Sequence, residues 1–257
     1  MTKPVSNFVW HDVMTTDTKA AEKFYTAVVG WKAEDSGMPN QAYTLFKVGS
    51  TVVGGLMAVP ADAAAMGAKP AWMGHIGVDD VDAYAKKVKA AGGAIYREPS
   101  DIPMVGRFAV AGDPRGAGFI LFQPNSTEAP TQPPDGTPGT FGWAELHAGN
   151  LNEAWDFYSK LFGWRKKDAM DSPAGLYQTF AIADDLARGG MMTKTAETPT
   201  PHWNYYVYVD GIDAAAARIT KAGGKIIMGP HEVPGGQWII NAVDPQGAQF
   251  NLLSKGK

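Results

Sequence analysis

The pattern of apolar and polar positions in the first part of the chain predicts a strand followed by a helix. Residues 8–14 are a short, largely apolar strand candidate, and the segment from Asp17 to Gly30 carries apolar residues at helical spacing. Asp17 is a residue type that caps helix starts, and Gly30 is the type that most often ends helices. Strands are expected at 43–48 and 52–58, on either side of a Gly-Ser turn. This stretch predicts a strand, a helix and further strands.

The next part of the chain repeats that order. The pattern predicts a strand at 73–78, a helix at 80–91, and strands at 94–96, 108–111 and 118–122. Further helices are expected at 151–162 and 211–222. The order is therefore a strand, a helix and three strands, a βαβββ module, and it occurs four times.

The chain also repeats itself as a whole. Phe24-Tyr25 recurs as Phe157-Tyr158, and Gly30-Trp31 as Gly163-Trp164, both at an offset of 133 residues. Later, at an offset of 131, Asp113-Pro114-Arg115-Gly116-Ala117 recurs as Asp244-Pro245-Gln246-Gly247-Ala248. So many Trp, Gly and Pro residues do not stay in register by chance, and the period is too long for a solenoid. The sequence therefore predicts a duplicated domain.

The two copies are joined by residues 124–140, which contain five prolines and many small polar residues. Such a segment is typical of an exposed linker without a core of its own. We therefore expect a first domain at 1–123, a Pro-rich linker at 124–140 and a second domain at 141–257.

Composition narrows the function classes. Hydrophobic residues make up 45% of the 257 residues and charged residues 19%, a globular profile, and the formal net charge is −3 without a cluster of like charges. Neither nucleic acid nor a membrane is an expected partner. The chain has no cysteine, which excludes disulfides and thiolate chemistry. The polar start and the lack of a long apolar run favour a cytoplasmic location.

On these features the sequence resembles the vicinal oxygen chelate superfamily, which includes glyoxalase I, extradiol dioxygenases and bleomycin-resistance proteins. The resemblance rests on the strand–Asp–helix opening with its Phe-Tyr and Gly-Trp pairs, on the segment 78–93, and on the Asp-Pro turn before each copy's last strand. It covers almost the whole chain outside the linker. It implies an α+β fold in which four βαβββ modules form two tandem domains, with curved mixed sheets around a cavity.

The resemblance also implies where a metal would bind. Catalytic members hold a divalent metal through His and Glu side chains, sets that suit Fe(II), Zn, Ni or Mn. The matching positions in the two copies hold Trp10 and Trp143, Met73 and Asn204, and Ile120 and Asn251. None of these is a usual ligand, so we expect no cofactor. A divalent metal held by relocated ligands is the alternative.

Strand alternation then gives the candidate site residues. Trp10 and Asp12 in copy one, and Trp143, Glu145 and His147 in copy two, are expected to face the cavity, with His11 on the opposite face. The aromatic ring would stack on a planar ligand, and the acid would fix a polar group of it or act as a general base. Alternatively, the Trp would only fill the barrel and the acid would hold a loop amide or a neighbouring Arg. The candidate catalytic residues are Glu145, His147, His75 and Asp12.

Other residues are candidates for ligand binding. Asn204, Tyr206 and Tyr208 form a polar–aromatic row on one strand, and Arg107 would bind an anion if it points inward. His202 and His231 lie near predicted loops or strand ends, where surface histidines are common. Because the copies differ at these positions, we expect two unequal cavities, with copy two the more polar.

Three functions fit these observations. The first is a metal-free protein that binds a small aromatic or amphipathic molecule. The second is a lyase, isomerase or dioxygenase-type enzyme without metal or with relocated ligands, and the third is a regulatory protein with vestigial cavities. Monomer and homodimer both remain open.

Overall fold

The computed structural model describes residues 6–39, 41–126, 133–172, 175–182 and 184–257. The first four residues, on which the expected absence of a leader rests, and the linker residues 127–132 lie outside these ranges.

The first module follows the predicted order. Its elements are β1 (Phe8–Thr15), α1 (Thr18–Val29), β2 (Lys32–Asp35), β3 (Thr44–Val48) and β4 (Thr51–Ala58). The N-cap side chain of Asp17 accepts the backbone N–H of Ala20, and Gly30 ends the helix in the left-handed conformation, as predicted. A short helix, α2 (Ala61–Ala65), leads to the second module.

The second module comprises β5 (Ala71–Gly77), α3 (Val81–Ala90), β6 (Ala94–Ile102), β7 (Gly106–Gly112) and β8 (Gly118–Pro124). The side chain of Asp80 caps α3 by accepting the N–H of Ala83. The predicted strand at 94–96 is in fact nine residues long and continues to Ile102.

The second copy repeats both modules. Its first is β9 (Phe141–Ala148), α4 (Leu151–Phe162), β10 (Arg165–Ser172), β11 (Gly175–Ala181) and β12 (Ala187–Thr193). Its second is β13 (His202–Tyr208), α5 (Ile212–Lys221), β14 (Lys225–Val233), β15 (Gln237–Val243) and β16 (Gln249–Ser254). The βαβββ order thus occurs four times, as predicted.

The strands form two mixed eight-stranded sheets. Their orders are β2-β3-β4-β1-β5-β8-β7-β6 and β10-β11-β12-β9-β13-β16-β15-β14. In each module the first strand pairs in parallel with the last, for example Asp12 opposite Gly55 and His75 opposite Ile120. The two orders are identical apart from numbering, so the sequence duplication is a duplication of structure.

The chain divides into two compact units, and each unit takes one module from each copy. Unit I contains β5 to β8 with α3, and β9 to β12 with α4; unit II contains β1 to β4 with α1, and the last four strands with α5. The first residues of β1 and β13 belong to unit I, and the first two residues of β5, including Trp72, and of β9 belong to unit II. The domain limits expected from the sequence separate the two copies, whereas each compact unit combines one module of copy one with one module of copy two.

The core of unit II explains the exchange. The Tyr25 hydroxyl on α1 donates to the Asp244 carboxyl of the second copy's Asp-Pro turn at 2.9 Å, and it accepts the Trp72 indole N–H at 2.9 Å. All three side chains are buried. A helix of copy one is thus anchored to a turn of copy two.

Unit I contains the reciprocal arrangement. The Trp203 indole donates to the Tyr158 hydroxyl at 2.9 Å, and that hydroxyl lies 3.5 Å from the Asp113 carboxyl of copy one. Burial raises the pKa of Asp113, although the carboxyl also accepts backbone N–H groups of its own turn. The paired Tyr and Asp residues of the repeat motifs are therefore anchors of the fold.

Part of the predicted linker is packed and not exposed. Gly139 is buried, its carbonyl accepts the Trp31 indole N–H at 2.7 Å, and its N–H donates to the Tyr208 carbonyl. Gly139 has φ of +90°, and a Cβ there would collide with Val48 and the Trp31 ring. The end of the linker therefore belongs to the core of unit II.

Among the described residues, none of the helices has the length and hydropathy that a bilayer span requires.

Candidate functional site

The second copy's first strand carries a hydrogen-bonded cluster in unit I. The Trp143 indole N–H donates to the Tyr177 hydroxyl at 2.9 Å, and Tyr177 donates to Glu145 Oε2 at 3.1 Å. The other carboxyl oxygen, Oε1, lies 2.9 Å from His147 Nε2. Because one chain of bonds joins Trp143, Glu145 and His147, these residues share one face of β9, as strand alternation predicted.

Electrostatics define the role of Tyr177 in this cluster. Burial raises the pKa of its hydroxyl far above the ordinary tyrosine value, and the nearby Glu145 carboxyl raises it further. Tyr177 therefore stays protonated and acts as a donor to Glu145. The side chains of Glu145 and His147 are 13% and 18% exposed, so the cluster is within reach of a ligand.

His202 also belongs to the cluster, which corrects its assignment as an ordinary surface histidine. Its ring stacks on the His147 ring with centroids 5.0 Å apart and planes inclined by 23°. Its Nδ1 lies 3.0 Å from the Thr200 carbonyl, so Nδ1 carries the proton. Burial lowers the pKa of the His202 imidazole, which favours the neutral ring. Sequence spacing could not indicate that β13 begins at this residue.

Three polar atoms of this region have no hydrogen-bond partner within the described residues. They are His147 Nδ1, His202 Nε2 and Asn204 Nδ2, all shielded from solvent. A buried donor or acceptor without a partner costs about 1–3 kcal/mol, and native proteins contain few of them. At such atoms an ordered water or a ligand would complete the hydrogen bonding.

Copy one has a simpler version of the cluster, in unit II. The Tyr43 hydroxyl donates to Asp12 Oδ1 in a short hydrogen bond. Asp12 is buried, and Gly55 lies beside the pair, where a Cβ would overlap the Tyr43 ring. Gly190 has the same relation to Tyr177. In each copy, a tyrosine side chain thus lies over a glycine, and its hydroxyl donates to the acidic residue of the first strand.

The two tyrosines are functional candidates that the sequence analysis missed. Tyr43 and Tyr177 occupy matching places in the repeat, each upstream of a Gly-Gly pair. That spacing was a usable signal, because a strand residue facing a glycine has room to lay a ring across it.

The other residues considered in copy one, Trp10, His75 and His11, differ in their burial and ring contacts. Trp10 is half-buried, and His75 is buried with its ring 5.8 Å from that of Phe122. His11 is buried and stacked on Phe141 at 3.8 Å, the packing role expected for the opposite face of β1.

Arg107 forms ion pairs within the protein. Its Nε and Nη2 donate to the Asp82 carboxylate at 2.6 and 3.0 Å, and Nη1 donates to Asp101 at 2.8 Å. The Arg107 guanidinium in turn lowers the pKa of Asp82. Two carboxylates already satisfy this guanidinium, so the geometry does not favour the anion-binding role considered for it.

The polar row on β13 extends into unit II. Tyr206 accepts the Asn241 amide at 3.1 Å, and Asn241 also donates to Asn251 Oδ1 at 2.6 Å. Tyr208, further along the strand, lies 3.5 Å from the Gln237 amide. Tyr206, Asn241 and Asn251 are all buried. Copy one has His75, Val110 and Ile120 at the matching positions, so copy two is richer in amides here.

The residues at the family's ligand positions do not fit a divalent metal. They supply two indoles, a thioether, an aliphatic chain and two amides, and the Asn251 amide is bonded to Asn241. Within the described ranges, no three His, Asp or Glu side chains are grouped so that they could share a metal ion. We therefore derive no step through a metal.

Comparison with known proteins agrees with the fold. The model of the Glyoxalase/Bleomycin resistance protein/Dioxygenase superfamily matches residues 7–121 and 140–252. CFP32 of Mycobacterium tuberculosis, whose assignment as a glyoxylase is itself provisional, is 34% identical over 246 residues, 95% of this chain and 93% of that one. The anthracycline biosynthesis protein DnrV of Streptomyces peucetius is 28% identical, over 95% of this chain and 91% of that protein.

Solved structures show the same architecture at low identity. The Mn(II)-bound glyoxalase from Novosphingobium aromaticivorans has a TM-score of 0.69 at 19% identity, covering 98% of this chain and 83% of that one. The 2,3-dioxygenase LapB from Pseudomonas sp. KL28 has a TM-score of 0.68 at 14% identity, covering 100% and 94%. With both copies matched by the family model, the chain belongs to the glyoxalase/bleomycin resistance protein/dioxygenase superfamily, as a tandem two-domain member.

Proposed function

We propose that this protein binds a small, planar aromatic or amphipathic molecule on the cluster face of copy two without using the superfamily's metal. The observation that carries the proposal is the donor set: the family's ligand positions hold Trp143, Asn204 and Asn251 in this copy. An indole and two amides suit stacking and neutral hydrogen bonding, whereas the Fe(II), Zn, Ni or Mn of this superfamily is held through imidazole and carboxylate.

The relatives support an aromatic ligand. DnrV and DauV of Streptomyces are named as anthracycline biosynthesis proteins, and anthracyclines are planar aromatic compounds. The half-buried Trp143, held by its bond to Tyr177, offers a fixed ring for such a ligand. A stacked aromatic pair contributes about 0.5–1.5 kcal/mol beyond the area it buries.

Two measurements test this proposal. Elemental mass spectrometry of protein purified without tag or chelator should give substoichiometric transition metal, and close to one equivalent of Fe, Ni, Zn or Mn would overturn it. A thermal-shift screen of planar aromatic compounds, including an anthracycline, should raise the melting temperature. Trp143→Leu should abolish the shift, whereas Trp155→Leu, at the partly exposed Trp155 under Lys166, should leave it unchanged.

Acid–base catalysis is the second candidate, and one observation favours it. Glu145 is held between His147 and the protonated Tyr177, an arrangement in which a carboxyl and an imidazole exchange a proton with a substrate. Solvent deuterium exchange next to the carbonyl of an α-hydroxy ketone, followed by NMR, would reveal such activity. Glu145→Gln should then lose the exchange and keep ligand binding.

A further inference from the structure

The polar patch formed by His147, His202 and Asn204 is confined to the second copy. At the matching positions copy one holds Met14, Ala71 and Met73, three apolar side chains. The fold therefore does not require polar groups here, because the same strands form without them in the other sheet. The two copies therefore differ in the chemistry that these positions offer to a ligand.

The protons on the two imidazoles can be assigned from their partners. His147 Nε2 faces a carboxyl oxygen and His202 Nδ1 faces a carbonyl, and both partners accept, so these nitrogens donate. In the neutral rings, His147 Nδ1 and His202 Nε2 are then acceptors. Neither has a partner among the described residues. The patch thus presents two unused acceptors and, at the Asn204 amide, one unused donor.

This inventory selects the chemistry of a ligand. Two acceptors beside the Glu145 carboxyl favour a neutral molecule that donates hydrogen bonds, and they disfavour an anion. The other donors nearby, the Trp143 indole and the Tyr177 hydroxyl, are already bonded within the cluster. A ligand hydroxyl can donate to an imidazole and still accept from an amide, so it satisfies both kinds of unused atom.

We infer that the stacked His147–His202 pair, with Asn204, is a recognition site for the hydroxyl group of a neutral aromatic ligand. Of these three residues, the two histidines lie outside the family's metal positions, and Asn204 occupies one of them. The inference rests on the proposed function and deepens it by naming the group that is recognised. The unused atoms are shielded from solvent, so binding at them requires a local rearrangement of the patch. The neighbouring side chains of Glu145 and His147 are 13% and 18% exposed.

Three probes separate the ring from the hydroxyl. Isothermal titration calorimetry would compare 2-naphthol, 2-methoxynaphthalene and 2-naphthoate, which share a ring system but differ in donor and charge. Only the naphthol offers an O–H, and only the naphthoate is an anion at neutral pH. We expect the naphthol to bind about tenfold more tightly than either of the others. The methyl ether can still accept from the Asn204 amide but has no O–H to donate to an imidazole, and the naphthoate places an anion beside two acceptors.

The other copy supplies the matched variants. The combined change His147→Met, His202→Ala and Asn204→Met installs the residues of copy one, and it should bring naphthol affinity down to that of methoxynaphthalene. His231→Gln, on the edge strand β14, is the control and should change nothing. Cooperative thermal unfolding would show that each variant folds, and Asn204→Met alone provides a milder variant should the triple one not fold.

The outcomes separate the two proposals. Equal binding of naphthol and methoxynaphthalene, unaffected by the triple variant, would overturn the hydroxyl site and leave aromatic binding standing. Binding of neither compound, with no response in the aromatic screen, would overturn both.

Discussion

The buried Tyr25 anchor allows a quantitative test of how the two copies hold each other. Tyr25→Phe removes the donor to Asp244 and the acceptor of the Trp72 indole N–H, both at 2.9 Å. A hydrogen bond to a carboxylate contributes about 1.5–3 kcal/mol, and an orphaned buried N–H costs about 1–3 kcal/mol. Allowing for overlap between the two, we expect the free energy of unfolding to fall by roughly 3 kcal/mol.

Tyr158→Phe is the matched variant in the other unit. It leaves the Trp203 indole without its acceptor, but the separation of the Tyr158 hydroxyl from Asp113 is 3.5 Å, too long for a strong O–H···O bond. We expect a loss of about 1–2 kcal/mol, clearly smaller than for Tyr25→Phe. Both changes keep the ring and its packing, so the comparison isolates the hydroxyls.

The assay is equilibrium urea unfolding, followed by circular dichroism and tryptophan fluorescence, with calorimetry for the melting temperature. For a chain of this size, each kcal/mol corresponds to about 2–4 °C or less. Equal losses for the two variants would refute the argument from bond length. A loss near zero for Tyr25→Phe would refute the assignment of Tyr25 as an anchor.

Three further outcomes are expected. Gly190→Ala should push the Tyr177 ring aside, because a Cβ there overlaps it. The free energy of unfolding, measured in urea, should fall by about 1–3 kcal/mol, and ligand affinity should fall as well. An unchanged affinity would contradict a role of Tyr177 in the ligand site. The lowered pKa of His202 means that the unfolded chain takes up a proton first, so stability is lost as pH falls through about 6.5. His202→Gln should weaken the dependence of the melting temperature on pH between neutral and mildly acid pH. A dependence as steep as that of the unchanged protein would contradict a buried neutral ring. Asp17→Ala removes the cap on Ala20 and should cost about 1 kcal/mol, measured by urea unfolding; a neutral result would show that the cap contributes little.

The sequence predicted the repeated modules well because helix caps and turns are local signals. The limits of α4, 151–162, were predicted to the residue, and Asp17 and Asp80 cap helices as their positions indicated. The strands β2 and β10 were not predicted individually. They are largely exposed, they carry charged residues, and they lie at sheet edges, so no apolar alternation marks them.

The candidate site was predicted in part. Alternation placed Trp143, Glu145 and His147 on one face, because that depends only on the strand. It could not bring in Tyr177 or His202, which come from other strands and join the cluster through tertiary pairing. For the same reason no pattern could reveal that Tyr25 and Asp244, 219 positions apart, form a hydrogen bond.

The reciprocal anchors also limit how this protein can evolve. Since each compact unit takes one module from either copy, loss of one copy would leave both remaining modules without their partners. Copy one can therefore hold Met14, Ala71 and Met73 where copy two has its polar patch, and still keep the residues that complete its neighbour. Divergence between the first strands of the two copies is thus compatible with the retention of both.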